Sequence, residues 1–533
     1  MTRQRRRART VKCVFGLGID LGTTYSVVAA IDAAGVPRVL DNRDGESLTP
    51  SVVYFDGEKP IIGSAAVVAG GVTPQNCIEL VKRHIGDTSW KHCTISGTQY
   101  TAEQISAILL RRLADDAALA LGQPCSEVVI TVPAYFDDAR RRATADAGII
   151  AGLDVLSVLN EPTAAALAYG FGRGATSSHV PATVLVYDWG GGTFDATVVR
   201  IHDDEYTVLA TAGDRNLGGF DIDNAVMLHV DSCVVAQGGP SSLDSDVAEL
   251  LLRGRCEQAK RALSSVPETL ITVDCGAVSY PVHLARPTFA NLTAPLLRRT
   301  EEIVAEVIID AGVQAGDLSV ALLVGGSTRA PMVSRMLQRV TGVPVRQDVH
   351  PEQAVALGAA LVAASASAAR RGVVSREYKA APFAGQHITN RLVVHDVTAH
   401  SLGLIARCSQ TGAEINSVLI RRNTPLPAQG RQRFHTLAEN QREILVVITQ
   451  GEDPDPRYIT IVGSARMPVP PSEESVEVEV LIGYDEQGLI GVRVADPHTG
   501  VPLGEFSIDR QANVDVQEIE RMRQSLQTLN TRK

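Results

Sequence analysis

The sequence predicts a multidomain chain in which a two-lobed α/β unit, with a ligand site between its lobes, precedes a predominantly β half. Three observations predict it. Residues 14–31, containing FGLGIDLGTTYSVVAAI, read as two apolar strands broken by a Gly/Thr turn, and the same grammar returns in TVLVYDWGGGTFDATVVRI at 183–201. In each copy an Asp ends the first strand, Asp20 and then Asp188, and the two stand 168 positions apart. Beyond residue 391 the apolar pattern changes to strict alternation, clearest in VEVEV at 476–480.

The duplication extends past the turns. EQISAILLRRLADDAALALG (103–122) has helical spacing at Ile105, Ile108, Leu109 and Leu113 and leads into the strand EVVITVP; APLLRRTEEIVAEVIIDAG (294–312) leads likewise into SVALLVGG. Two such units imply two similar lobes. After VALGAALVAASASA, residues 365–391 are rich in Ser, Ala, Arg and Gly without sustained periodicity, and read as a connection. The expected divisions are 14–368, a linker at 369–395, a β unit at 396–510 and a short helix within 511–533. That helix opens with a capping box of Asp515 and Glu518 and sets Ile519, Met522, Leu526 and Leu529 on one face.

Composition narrows the function. The chain has 533 residues, 45% hydrophobic and 21% charged, enough for more than one core. Its 60 acidic against 50 basic residues give a net charge of −10, which argues against a general role on nucleic acid or anionic membranes. No run approaches the roughly 18 apolar residues of a membrane span. Arg3, Arg5, Arg6, Arg7 and Arg9 read as a solvated tail, with no apolar segment after them of the kind that directs secretion, and the expected compartment is the cytoplasm. The 8 cysteines contain no C-x-x-C pair, so neither a zinc site nor a disulfide framework is expected.

Paired Gly/Thr turns make physical sense as phosphate cradles, because small residues let backbone N–H groups and hydroxyls close on an oxyanion. Asp20 and Asp188 at the strand ends could then face one Mg²⁺ through its waters. The bland alternative is a pair of ordinary hairpins with turn aspartates. Neither G-x-x-x-x-G-K-[ST] nor G-x-G-x-x-G occurs, so a nucleotide has to be held by another device.

GIDLGTTYS (18–26), VITVPAYFDDARRRAT (129–144), NEPTAAALAYG (160–170), DWGGGTFD (188–195), CEQAKRALS (256–264) and LLVGGSTRAPMV (322–333) together resemble, in order, the signature segments of the DnaK, or seventy-kilodalton heat-shock, chaperones. The resemblance covers about residues 14–525. It implies an actin-like two-lobed ATPase domain plus a β-sandwich substrate-binding domain, ATP/ADP and Mg²⁺ (with K⁺ a further candidate) as ligands, and a role in protein folding under stress. Carried over by motif, Thr23, Thr24 and Tyr25 lie beside the β and γ phosphates, and Gly190, Gly191, Gly192 and Thr193 close the other side. Asp20 and Asp188 position hydrated Mg²⁺, Lys82 stands near the γ-phosphate and attacking water, and Glu161 and Asp195 organise water and metal. Glu257, Lys260, Arg261 and Ser264 share one helix face and, with Gly325, Gly326, Ser327 and Arg329, enclose adenosine. Without the motif context, Lys82 would read as a surface lysine and the 257–264 face as solvated charge.

The same resemblance makes Pro133, Arg141 and Glu161 relays of nucleotide state, and Leu392, Val393 and Val394 the docking strand of the linker, followed by His395 and Asp396. DVTAHSLGL (396–404) and ENQREILVVITQGE (439–452) are similar to the peptide-binding sandwich, with Leu404, Phe434, Ile444 and Val446 at groove positions; singly, such residues are more often core. Expected partners are unfolded or extended apolar polypeptides; a J-domain protein and a nucleotide exchange factor are further candidates, with Ser157 standing against a standard J-domain partner. Five positions depart from the pattern. Ser157 replaces a basic residue that helps receive J-domains, Arg407 and Leu437 alter the arch over the groove, and Trp189 and Phe220 alter the second phosphate turn and the segment after it. The helical lid of the family needs more chain than 511–533, so peptide release is expected to be fast in every nucleotide state. Two other readings keep the phosphate turns: a nucleotide-gated scaffold for one partner, and a small-molecule kinase of the actin-like superfamily, which leaves the β half unexplained.

Overall fold

The computed structural model describes residues 16–57, 59–172, 180–347, 350–371, 375–377, 387–389, 392–484, 490–508 and 516–531. The repeated local pattern becomes two repeated hairpins. In the first lobe, β1 (Leu17–Asp20) turns back into β2 (Tyr25–Ile31); helix α1 (Ala102–Leu121) then leads into β3 (Glu127–Val132), which lies parallel to β1 with Thr131 beside Asp20. Helix α2 (Asp138–Ile150) leads into β4 (Asp154–Asn160) on the far side of β3, and helix α3 (Glu161–Gly172) follows directly. Helix α1 starts where the sequence says it can. Thr101 accepts from the Gln104 amide at 3.3 Å and Gln104 accepts from the Thr101 amide at 3.0 Å, a reciprocal cap.

The second lobe repeats the plan. Strand β5 (Ala182–Trp189) turns into β6 (Phe194–His202) and β7 (Glu205–Asp214), and β8 (Val320–Val324) lies parallel to β5 with Val324 beside Asp188. Helices α4 (Gly219–Ala236), α5 (Asp246–Leu263) and α6 (Arg286–Asp310) pack into its core, as does the helix Pro331–Thr341. Helix α6 begins eight residues before the segment whose periodicity marks it, and carries Pro295 internally. Helix α7 (Ala354–Arg370) packs against strands of the first lobe and against α3. Each lobe has its own core, one around Leu17, Ile19, Ile105 and Leu109, the other around Tyr187, Trp189, Phe194 and Phe289.

The stretch read from sequence as an unpatterned connection contains paired strands, Ser375–Glu377 with His387–Thr389. Strand β9 (Val393–His395) then adds to the second lobe's sheet, parallel to the start of β7. The β half is two four-stranded sheets. One has order β11-β10-β13-β14, from β10 (Leu402–Arg407), β11 (Glu414–Ile420), β13 (Glu443–Gln450) and β14 (Thr460–Pro468). The other has order β12-β15-β16-β17, from β12 (Ala428–His435), β15 (Glu477–Tyr484), β16 (Ile490–Ala495) and β17 (Pro502–Ser507). Alternation in β15 places Val478, Val480 and Ile482 inward, so the two sheets share one core.

Helix α8 (Val516–Thr531) packs on the first lobe and not on the sandwich. Its Met522 and Leu526 enter the first lobe's core and Ile519 packs beside them, while α2 is its main neighbour. Asp515, the proposed cap, lies outside the described residues, as does the side chain of Leu529.

Candidate nucleotide site

The two hairpin turns face each other across a cavity of about 790 Å³, inside the range of small-molecule sites. Asp20, Thr23, Thr24, Tyr25, Lys82 and Glu161 line it from the first lobe; Asp188, Gly190, Gly191, Thr193, Glu257, Lys260, Arg261, Ser264, Gly325, Gly326, Ser327 and Arg329 line it from the second. Gly192 and Asp195 stand behind this wall. The Gly192 carbonyl accepts from Arg83 Nη2 at 2.9 Å, and Asp195 Oδ1 accepts from the Tyr135 amide at 3.0 Å.

Close approach explains why the turns are made of small residues. A β-carbon on Gly191 would stand 1.9 Å from Thr24 Oγ1, so any side chain there would drive the turns apart. Gly325 has φ of 83°, and a β-carbon on it would meet the Trp189 carbonyl oxygen at 2.4 Å. Trp189 itself points away from the cavity and is fully buried beside Tyr187 and Phe194, so this departure from the family pattern fills the second lobe's core.

At the deep end, Lys82 Nζ donates to Glu161 Oε1, and both side chains are buried. Lys82 comes from the turn Val81–His84, and Glu161 is the first residue of α3. Asp20 accepts from Thr131 Oγ1 at 3.2 Å. Burial, reinforced by Glu161, raises the Asp20 carboxyl to about 7 and the Asp195 carboxyl to about 8; Asp188 is raised as well by burial and by Glu161, Asp195 and Asp20. Four carboxylates with one ammonium among them form a site that lacks positive charge. A divalent cation fits that deficit, and the glycine cradle fits an oxyanion, so the residues present suit a Mg²⁺–phosphate group.

At the other end, Lys260 Nζ donates to Asp223 Oδ2 at 2.7 Å and to the Gly219 carbonyl at 3.1 Å. Arg261 pairs with Glu257 at 3.3 Å and lies over the Tyr25 ring, 4.8 Å from its centroid. Ser327 Oγ donates to the Gly190 carbonyl at 2.9 Å, and Arg329 reaches Glu352 at 3.2 Å. Asp223, Phe220, Arg253 and Glu352 line the cavity although motif spacing does not single them out as ligands. Their segments follow or flank the motifs, and only the folded register brings them to the wall.

The residues expected to relay nucleotide state lie beside the deep end of the site, next to Glu161. Arg141 donates to the Asn160 side chain and to the Val158 carbonyl, and Asn160 Nδ2 donates to Asp396 Oδ2 at 2.6 Å. Burial raises the Asp396 carboxyl, with Arg141 opposing. Pro133 precedes the turn closed by the Phe136 amide on its carbonyl at 3.1 Å. Leu392 and Val394 pack into the apolar layer between the lobes, while Val393 is exposed. In the sandwich, Leu404, Val446, Phe434 and Ile444 belong to one cluster, the first two buried and the others half-buried, so they form part of its core in this structure. Arg407 and Leu437 are exposed, as is Ser157 on β4.

A duplicated α/β fold with facing Gly/Thr turns, joined by a strand to a β-sandwich, defines a two-lobed α/β protein with an appended β-sandwich. A sequence profile for the family described as Hsp70 protein matches residues 16–532, nearly the whole chain. The chain belongs to the Hsp70 family. Members of that family are ATPases and ATP-dependent chaperones that use Mg²⁺ with ATP or ADP and bind unfolded polypeptides and co-chaperones. No described helix is long and apolar enough to cross a membrane.

Proposed function

We propose that this chain hydrolyses ATP in the interlobe cleft and couples that reaction to transient binding of exposed apolar segments by the sandwich. The observation that carries the proposal is the convergence of Asp20, Lys82, Glu161 and Asp188 with both glycine turns on one cavity, with Asn160, the neighbour of Glu161, bound to Asp396 at the entrance to the sandwich. We assign the ATPase unit to 14–368, the connection to 369–395, the sandwich to 396–510 and the closing helix to 511–533.

In this reading positioning and charge neutralisation carry most of the chemistry. Mg²⁺ supplies charge neutralisation at the phosphates, with Asp20 and Asp188 the residues that would hold its hydration shell. Glu161 fixes the Lys82 ammonium where negative charge develops on the transferred group. Thr193 and the amides of Gly190 and Gly191 close on the phosphates from the second lobe, and Thr23 and Thr24 from the first. Asp195, fixed by the Tyr135 amide, orients the attacking water. The Glu257, Lys260, Arg261 and Ser264 face binds adenosine. Stimulation of ATP hydrolysis by an unfolded polypeptide tests the proposal; hydrolysis indifferent to polypeptide would favour the nucleotide-gated scaffold.

A further inference from the structure

Arg83 follows Lys82 on the first lobe, yet its contacts lie on the second. Its Nη2 donates to the Gly192 carbonyl at 2.9 Å and to Asp221 Oδ2 at 2.6 Å. Its guanidinium carbon stands 4.9 Å from the centroid of the Phe220 ring. Arg253, on helix α5 of the second lobe, stands 4.7 Å from the same centroid. One aromatic ring therefore touches two guanidinium groups, one from each lobe.

Electrostatics explains how two cations share a ring. Asp221 balances Arg83 and Glu249 balances Arg253, so neither charge is bare. The Nε atoms of Arg83 and Arg253 are both buried without a hydrogen-bond partner. The electron-rich face of Phe220 stands in for the missing acceptors. The acidic residue common at this position in the family would offer an ion pair there. A ring adds two stacking faces and removes one negative charge from a cleft already crowded with carboxylates. Phe220 and Arg253 also line the cavity wall, so the clasp closes at the mouth of the nucleotide site.

We propose that Phe220 is a positioning residue. In contact with both Arg83 and Arg253, it fastens the lobes together, holds the Val81–His84 turn and hence Lys82 in register with the turn at Gly192, and so sets both how long nucleotide stays and how fast it is cut. The proposal rests on the reading of the cleft as an ATP site.

The test uses the full chain, with release of fluorescent mant-ADP followed by stopped flow and ATP hydrolysis followed in single turnover. Phe220→Leu keeps an apolar side chain but removes both ring faces; it is expected to release mant-ADP about 10-fold faster and to slow single-turnover hydrolysis. Phe220→Tyr keeps the faces and is expected to restore both rates to within about 2-fold of wild type. If Phe220→Leu does not fold, Arg253→Gln leaves the ring in place and is expected to speed release about 3-fold. Failure of the wild type to bind mant-ADP would overturn the ATP reading itself. Wild-type binding with unchanged release in folded Phe220→Leu, or in Arg253→Gln, would overturn the clasp and leave the ATP reading standing. Equal acceleration in Phe220→Leu and Phe220→Tyr would overturn it too, because a packing role does not distinguish a π face.

Discussion

Asn160 Nδ2 donates to Asp396 Oδ2 at 2.6 Å, and the residue after Asn160 is Glu161, the partner of Lys82. A single peptide bond thus separates the contact that holds the start of the sandwich from the contact that holds the candidate catalytic lysine. Asp396→Ala removes the first without touching the second. Basal ATP hydrolysis is expected to stay within about 2-fold of wild type while stimulation by an unfolded polypeptide falls about 5-fold or more, a coupling loss of ordinary allosteric size. Steady-state ATPase assays with and without polypeptide check this.

Lys82→Met leaves Glu161 buried without its cation and removes the positive charge from the deep end of the site. Single-turnover hydrolysis is expected to drop on the order of 10²-fold or more, the scale of losing one preorganised charge-stabilising group. ADP affinity by calorimetry is expected to stay within about 3-fold, since Glu257, Lys260 and Arg261 remain.

Gly191→Ala tests the cradle from the other side. With Thr24 Oγ1 only 1.9 Å from the added carbon, the two turns have to separate. Nucleotide affinity is expected to fall roughly 10-fold or more. Equilibrium binding of mant-ADP to the variant provides the check.

How much of this was legible in the sequence depends on how local each feature is. Asp20, Asp188 and the Gly/Thr turns could be read because strand, turn and Asp are contiguous, and the repeat made them recognisable. The grip of Arg83 on Gly192 could not, since it joins residues 109 positions apart and no periodicity links them. Phe220 was visible as a departure, but its ring gains meaning only from its contacts with Arg83 and Arg253. The amphipathic face of α8 said that Ile519, Met522 and Leu526 would be buried; it could not say that the first lobe would cover them. The strands at 375–377 and 387–389 were missed because three-residue segments show no alternation.

The raised carboxyls give a pH dependence. The folded, nucleotide-free protein holds protons on Asp20 up to about 7 and on Asp195 up to about 8, whereas the unfolded chain releases them near pH 4. Between about pH 4 and 8 the folded state therefore binds more protons, and stability falls as pH rises through that window. Asp20→Asn is expected to flatten the decline in Tm of the nucleotide-free protein between pH 5.5 and 8. Binding of Mg²⁺–nucleotide near pH 7 reverses the charge deficit and is expected to release about one proton per site, seen as a buffer-dependent calorimetric enthalpy.

The most direct test of the central claim is steady-state ATP hydrolysis by the wild type and by Thr193→Ala, each with and without an unfolded polypeptide. A coupled chaperone predicts hydrolysis that the polypeptide stimulates in the wild type, with the stimulation abolished in the variant. Tight ATP binding by the wild type with no stimulation would contradict the coupling and leave a nucleotide-gated scaffold in its place.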